Sequence, residues 1–447
     1  MLIGDEPLTP AAVAALARRG PATVELSAAA RERIAAGHAA VVAVAGRRPV
    51  YGRTTGVGAN RHVAIGDGGE AHARRLLRSH AGGVGEPLPE EVVRATILIR
   101  LNQIAAGGGG HRVEVADALV ALLAADELPV LHDLGGLGTG DLTILAELAL
   151  HQGEARLQWG EGDALPFMSS NAATFAVATL AWADLRELLD AGLAVAAESF
   201  AALRGNPEAY AEEVAAGRPL PGLVAVAATL RGLTAGARHE PARLQDPFGL
   251  RTLPQVGGAF HDALAALHDV LATELGAAAE NPLVAGDAVF HHGGFHAASA
   301  ALALDTARLA LVPFADLSLA RLSALMEPEL TGLEPFLASA VPGSSGLMIA
   351  EYVGADALAR LRALAVPTST GGVSISRGLE EHASFAWQGA QQARAAVAHL
   401  RTLLALEHIA ARRALDGAAA DDAEIAGDVA RAEAALPQLA EAARRAA

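Results

Sequence analysis

Residues 170–204 read SNAATFAVATLAWADLRELLDAGLAVAAESFAALR, one apolar pattern of helical period. A helix of this length is unusual in a compact α/β domain and ordinary in a bundle, where its faces are buried against other helices. Working outward, long helical patterns recur at roughly Val256–Glu280, Phe295–Met326, Ser345–Leu364 and Leu379–His408. Hydrophobic residues make up 52% of the 447 positions and aromatics only 4%, with Ala, Leu and Val dominant. Alanine and leucine are strong helix formers, and alanine faces let helices approach closely. The expected fold is mainly α, a long helical bundle.

The first third of the chain has a different texture. Thr9 can cap a first helix with Pro10 in its opening turn, and Gly20 stops it. An extended run follows at Thr23–Leu26, and Ser27 opens a second helix that ends near Gly46. Residues 51–60, YGRTTGVGAN, form a glycine-punctuated loop. Helices are expected at Glu70–Ser79 and Glu90–Ala106, the latter stopped by Gly107–Gly110; after a loop at 128–140 comes Leu142–His151. The pattern divides the chain into a loop-rich N-terminal domain (1–165), a central long-helix bundle (166–410) and a helical tail (411–447) whose charged, alanine-rich part begins at Asp421. Loops at 51–60, 129–141, 245–255 and 281–296 are the candidate sites, because a rigid scaffold places functional residues on loops.

Composition removes several classes of function. With 34 Lys and Arg against 50 Asp and Glu, the formal charge is −16, unsuited to neutralising nucleic-acid phosphates. Cysteine is absent, which excludes disulfides, thiolate metal sites and cysteine nucleophiles. The N-terminus lacks a basic segment followed by an apolar one, and apolar stretches such as Leu193–Ala202 read as too short to span a bilayer. A cytoplasmic protein without nucleic-acid or membrane partners is expected. No metal is expected either: His291, His292 and His296 sit in a glycine loop without a nearby carboxylate. The run Gly107–Gly110 before His111 and Arg112 follows a helix rather than a strand, so it is no P-loop.

Six segments, in order, resemble one family. Tyr51-Gly52-Arg53-Thr54-Thr55-Gly56-Val57-Gly58 is similar to the catalytic-tyrosine loop of the histidine and phenylalanine ammonia-lyases. Ser79–Leu88 (SHAGGVGEPL) is very close to the histidine-type version of the next motif. Gln245-Asp246-Pro247-Phe248-Gly249-Leu250-Arg251 with Pro254-Gln255-Val256, then Asn281-Pro282-Leu283-Val284, Gly293-Gly294-Phe295-His296 and Glu380-Glu381-His382 complete the series. The resemblance implies an ammonia-lyase/aspartase-like bundle with a homotetrameric core, in which Tyr51, Thr139 and Phe295 come from different chains. Long apolar helix faces, unfavourable on a monomer, agree with such an assembly.

The family also implies roles. Tyr51 resembles the base that takes the β-proton, although a phenol with a reference pKa near ~10 needs help from its surroundings. Arg251 resembles the residue that grips the substrate carboxylate through a bidentate pair. His80 and Glu380 match positions that recognise the substrate side chain; a carboxylate suits an imidazole N–H. Asn171 is the candidate contact to the amino group or cofactor, with a plain helix cap as the alternative. Gln245, Phe248 and Phe295 line the pocket by the same resemblance.

Family members cyclise an internal Ala-Ser-Gly into methylidene-imidazolone; here the frame holds Gly138-Thr139-Gly140, followed by the expected Asp141-Leu142. The amide nitrogen of Gly140 and the carbonyl of Gly138 remain, but dehydration of threonine leaves an ethylidene, crowded by its extra methyl. β-Branching stiffens the loop at Thr139, while Gly138 loosens it. Phe248 replaces a tyrosine and Gly294 an asparagine. A normal methylidene-imidazolone is therefore not expected. The primary reading is a lyase that performs β-elimination on histidine or a histidine-like amino acid, with Tyr51 as base. Two alternatives stay open: a cofactor-free relative using the same pocket for another elimination, addition or cyclisation, and a non-catalytic homologue that binds an amino acid or stabilises a partner.

Overall fold

Local chemistry accounts for where the first helices begin. The computed structural model describes all residues except 22, 67–68, 152–156 and 418–421, so the expected start of the charged tail at Asp421 lies outside the described residues. Helix Pro10–Arg18 opens with the Thr9 hydroxyl accepting the Ala12 N–H at 3.2 Å. Helix Ala28–Ala45 opens with the Ser27 hydroxyl accepting from Ala30 at 3.0 Å. Such caps contribute roughly 1 kcal/mol each.

The chain divides into two units, neither continuous in sequence. One contains Met1–Ala183, His268–Leu304 and Pro367–Gln391; the other contains Asp184–Leu267, Asp305–Val366 and Gln392–Ala447. Four long helices, Ala172–Ala202, Leu253–Glu274, Ala298–Leu325 and Ala386–Asp416, each give residues to both.

In the first unit, helix Glu90–Ala105 is buried along nearly its whole length, and helices Pro10–Arg18 and Val113–Ala125 pack on it. Its Arg100 is fully buried and pairs with Glu280 at 2.9 Å, while also donating to the Pro166 and Phe167 carbonyls. Short strands close the loops: Leu2–Ile3 lies parallel to Glu25–Leu26, and Val84–Pro87 antiparallel to His132–Leu134. Leu283–Ala285 and Ala288–Phe290 form a hairpin.

In the second unit, the carboxylate of Glu407 is fully buried and accepts from Ser199, Ser318 and Arg321 at 2.6–2.9 Å. Helices Pro221–Thr234 and Leu253–Glu274 meet at Gly222 and Gly258. A Cβ on Gly222 would lie 2.1 Å from the Gly258 carbonyl, so only glycine allows this approach.

Three sequence expectations need correction. The helix expected over 256–280 runs from Leu253 to Glu274 and stops before Gly276. The helix expected from Leu379 begins at Ala386, because residues 376–385 form a separate turn with Arg377 and Phe385 at positive φ. The helical stretch Ala164–Ala202, which includes helix Ala172–Ala202, and helix Ala298–Leu325 are long and apolar enough to cross a membrane by length and composition, contrary to the expectation from Leu193–Ala202. The most apolar window of the first is wholly buried, so its apolar character reflects core packing.

Candidate active site

Gly138 and Gly140 both hold positive φ, +65° and +87°, and the segment between them is anchored from three sides. Gly140 donates its N–H to Asn171 Oδ1 at 2.8 Å, and Asn171 Nδ2 donates to the Phe295 carbonyl at 2.6 Å. The Gly138 carbonyl accepts from the Ala297 N–H at 3.3 Å and from the Ser384 hydroxyl. Thr139 Oγ1 accepts the Ser384 N–H at 2.9 Å.

Asn171 stands immediately before helix Ala172–Ala202, where a cap would stand, but its side chain is spent on the tripeptide and on Phe295. The capping is done by others: Ser170 Oγ accepts from Ala172 at 3.0 Å, and Asp141 accepts the Thr174 N–H and hydroxyl, both at 2.8 Å. Asp141 is fully buried, and that burial pushes its carboxyl up to about 6, against hydrogen bonds from Thr174 and Ala173 that pull it down. Within the chain, Asn171 links the Phe295 carbonyl to Gly140, and Ala297, two residues past Phe295, donates its N–H to the Gly138 carbonyl as helix Ala298–Leu325 begins.

Tyr51 is half-buried and its phenol oxygen accepts the Gly58 N–H at 2.7 Å. Its backbone N–H goes to His291 Nε2 at 3.1 Å, so that ring is unprotonated at Nε2. Desolvation raises the phenol above its ordinary 10.0; the Gly58 contact opposes this, the Glu380 carboxylate reinforces it, and Arg61 lowers it. Glu380 belongs to the same cluster, since a Cβ on Gly58 would lie 3.6 Å from Glu380 Oε1. Ser376 fastens the two loops by accepting the Ala59 N–H at 3.2 Å.

His80 ends helix Gly69–His80 with Nδ1 2.9 Å from the Leu76 carbonyl, which places the ring proton there and leaves Nε2 as the acceptor. Among the described residues it makes no hydrogen bond to Tyr51 or Glu380. The loop histidines have separate engagements. His292 accepts from Gly294 on Nδ1 and faces the Glu280 carbonyl with Nε2, while His296 Nε2 lies 3.0 Å from His382 Nδ1. Among the described residues no three metal-ligating side chains converge.

Gln245, Phe248 and Arg251 lie in the second unit and line an open cleft of about 480 Å³ with Asn206, Asp246 and Gln255. The Arg251 guanidinium sits 4.7 Å from the Phe248 ring centre and donates to Gln245 Oε1, while its buried Nε has no partner among the described residues. The short helix Phe248–Arg251 is held by Arg321, which donates to the Gly249 carbonyl at 2.9 Å, and by the Tyr210 hydroxyl on Leu250 at 3.1 Å.

The chemistry of the tripeptide does not fit methylidene-imidazolone. Thr139 carries a methyl that serine lacks, so its dehydration cannot give a methylidene. An alanine at 138 would place its Cβ 2.6 Å from Ser384 Oγ and 2.7 Å from Ala386 N, at a positive φ that L side chains rarely adopt.

Sequence reasoning missed Ser384, Arg321 and the backbone donors of Gly58 and Ala297. Nothing in a lone serine four residues after Glu380 signals its contact with residues 138–139.

Helical scaffold, tyrosine loop and anchored glycine-flanked tripeptide together describe a lyase of amino acids. The chain belongs to the aromatic amino acid lyase family, whose model matches residues 8–441. It is 37% identical over 428 residues to the histidine ammonia-lyase of Deinococcus radiodurans, an alignment covering 88% of this chain and 81% of the relative. The crystal structure of histidine ammonia-lyase from Trypanosoma cruzi superimposes with a TM-score of 0.90 at 25% identity, over 100% of this chain and 95% of that one. Ergothionase from Treponema denticola shares the fold, with a TM-score of 0.90 at 22% identity over 99% of each chain.

Proposed function

We propose that the protein carries out β-elimination on histidine or a histidine-like amino acid, with Tyr51 as the base. The observation that carries this reading is the Tyr51 oxygen, which accepts the Gly58 N–H at 2.7 Å while half-buried beside Glu380. A phenol oxygen already accepting a backbone N–H is the atom on which negative charge is best received after the proton leaves. The resemblance of its motif assigns the substrate carboxylate to Arg251, which is stacked on Phe248 and held by Gln245. Glu380 accepts a ring N–H of the substrate, and His80 contributes its acceptor nitrogen on the same side-chain portion. Asn171 holds Gly140 and Phe295 in register. The relatives' activity on histidine supports the substrate class.

Thr139 and the crowding at Gly138 favour a second reading within the same pocket: a reaction that needs no electrophile, by elimination of a better leaving group, addition or cyclisation. A cytoplasmic homotetramer completes the proposal, in line with the exposed apolar residues Leu302, Leu309, Ile349 and Tyr352.

Incubating the purified protein with L-histidine while following formation of the conjugated acrylate tests the primary reading. Absorbance growth that disappears in Tyr51→Phe supports it. Absence of any product from histidine, with a histidine derivative bearing a better leaving group consumed instead, selects the second reading.

A further inference from the structure

Closing a ring over residues 138–140 would expel two oxygens, and one residue holds both of them. Such closure forms a bond between the Gly140 nitrogen and the Gly138 carbonyl carbon. The Gly138 oxygen departs as water with the amide hydrogens of Gly140 and Thr139, and the Thr139 hydroxyl departs with its α-hydrogen as a second water. The Ser384 hydroxyl donates to that Gly138 oxygen, and the Ser384 N–H donates to that Thr139 oxygen at 2.9 Å. Ser384 is only 3% exposed, so loss of Thr139 Oγ1 would leave a buried N–H without a partner. Its own Oγ is fixed by the Ala386 N–H at 3.2 Å. The neighbouring residues extend the grip: Phe385 N–H reaches the Leu137 carbonyl and Gln388 Nε2 the Gly136 carbonyl, both at 2.9 Å. The same segment fills the space a side chain at 138 would need.

We propose that Ser384 is a positioning residue that keeps Gly138-Thr139-Gly140 an open peptide, with both oxygens retained in the mature protein. The inference stands apart from the proposed reaction, because its readout is covalent mass rather than turnover.

Intact mass of the purified full-length chain is the first measurement. The expected value is that of the unmodified sequence; a chain lighter by two waters overturns the proposal whatever its activity. The second measurement compares Thr139→Ser with the double variant Thr139→Ser, Ser384→Ala. Removing the hydroxyl clamp is expected to raise the share of chains lacking two waters severalfold. A lower share would make Ser384 a promoter of closure, and an unchanged share would reduce it to packing; either overturns its role. Ser384→Thr, which retains both donors, is expected to restore the low share. Thermal melting identifies any variant that does not fold, and the wild-type mass decides the open state independently of all of them.

Discussion

The amide of Asn171 bridges two backbone segments, accepting the Gly140 N–H at 2.8 Å and donating to the Phe295 carbonyl at 2.6 Å. Asn171 is 3% exposed, so losing its amide strands two backbone groups on partly buried residues beside a buried side chain. Asn171→Ala should therefore lose stability by about 1–3 kcal/mol for each stranded group and depress turnover through the displaced tripeptide. Asn171→Asp keeps the acceptor for Gly140 but loses the donor for Phe295, and should fall between the two. Calorimetric melting combined with steady-state rates checks this. An alanine variant as stable and active as wild type would separate Asn171 from the site.

Tyr51 gives a pH prediction with a definite sign. Its phenol is raised above 10.0 chiefly by burial, so near neutrality the resting group is protonated and only a small fraction is ready to accept a proton. The rate constant kcat/KM should climb with rising pH toward the alkaline limit, without a plateau near neutrality. Stability runs the other way: the contribution from the raised phenol is complete below its ordinary value and is lost as pH rises through the folded one. Tyr51→Phe should lower turnover by roughly 10²–10⁴-fold and flatten the alkaline rise. An unaltered pH–rate profile in that variant would remove Tyr51 as the base.

In the second unit the Arg251 turn depends on a residue remote in sequence. Arg321 donates to the Gly249 carbonyl and to both oxygens of buried Glu407. Arg321→Leu leaves that carboxylate buried and short of its charged partner, a change that typically costs about 3–5 kcal/mol. The freed Gly249 carbonyl loosens the turn carrying Arg251, so substrate KM should increase more than kcat falls. Urea titration gives the first effect and initial-rate kinetics the second. A variant with wild-type stability would contradict the buried pairing.

These residues also mark how far the sequence was readable. The long helices announced themselves because apolar period and length act locally along the chain, and the caps Thr9 and Ser27 could be seen from residue type alone. Tyr51 and Glu380 were visible through motif resemblance, and the structure places them in one cluster. Ser384 and Arg321 were not visible, since their partners lie 245 and 72 residues away and a lone serine or arginine has many ordinary uses. The end of helix Leu253–Glu274 was misjudged because alanines after Gly276 continue the apolar pattern past the point where the backbone leaves the helix. The bridge from Gly140 through Asn171 to the Phe295 carbonyl was hidden for the same reason as Ser384: tertiary hydrogen bonds leave no periodic trace.

Asp141 supplies the last test. Its carboxyl is fully buried and held at about 6, raised by desolvation that outweighs the hydrogen bonds from Thr174 and Ala173. Since the folded state favours the protonated form, Asp141 contributes stability that is complete below its unfolded value of 3.8 and is lost as pH rises through about 6. An asparagine here can still accept the Thr174 N–H and donate to the Thr174 hydroxyl, but it carries no charge to bury. Asp141→Asn should therefore be at least as stable as wild type at about pH 8, with its relative advantage shrinking as pH falls through the interval from about 6 to 4. Paired melting curves across that range provide the measurement. A stability gap that stays constant with pH would show that the Asp141 carboxyl is not shifted by folding, and one that widens on acidification would show that folding lowers it; either outcome contradicts the burial effect.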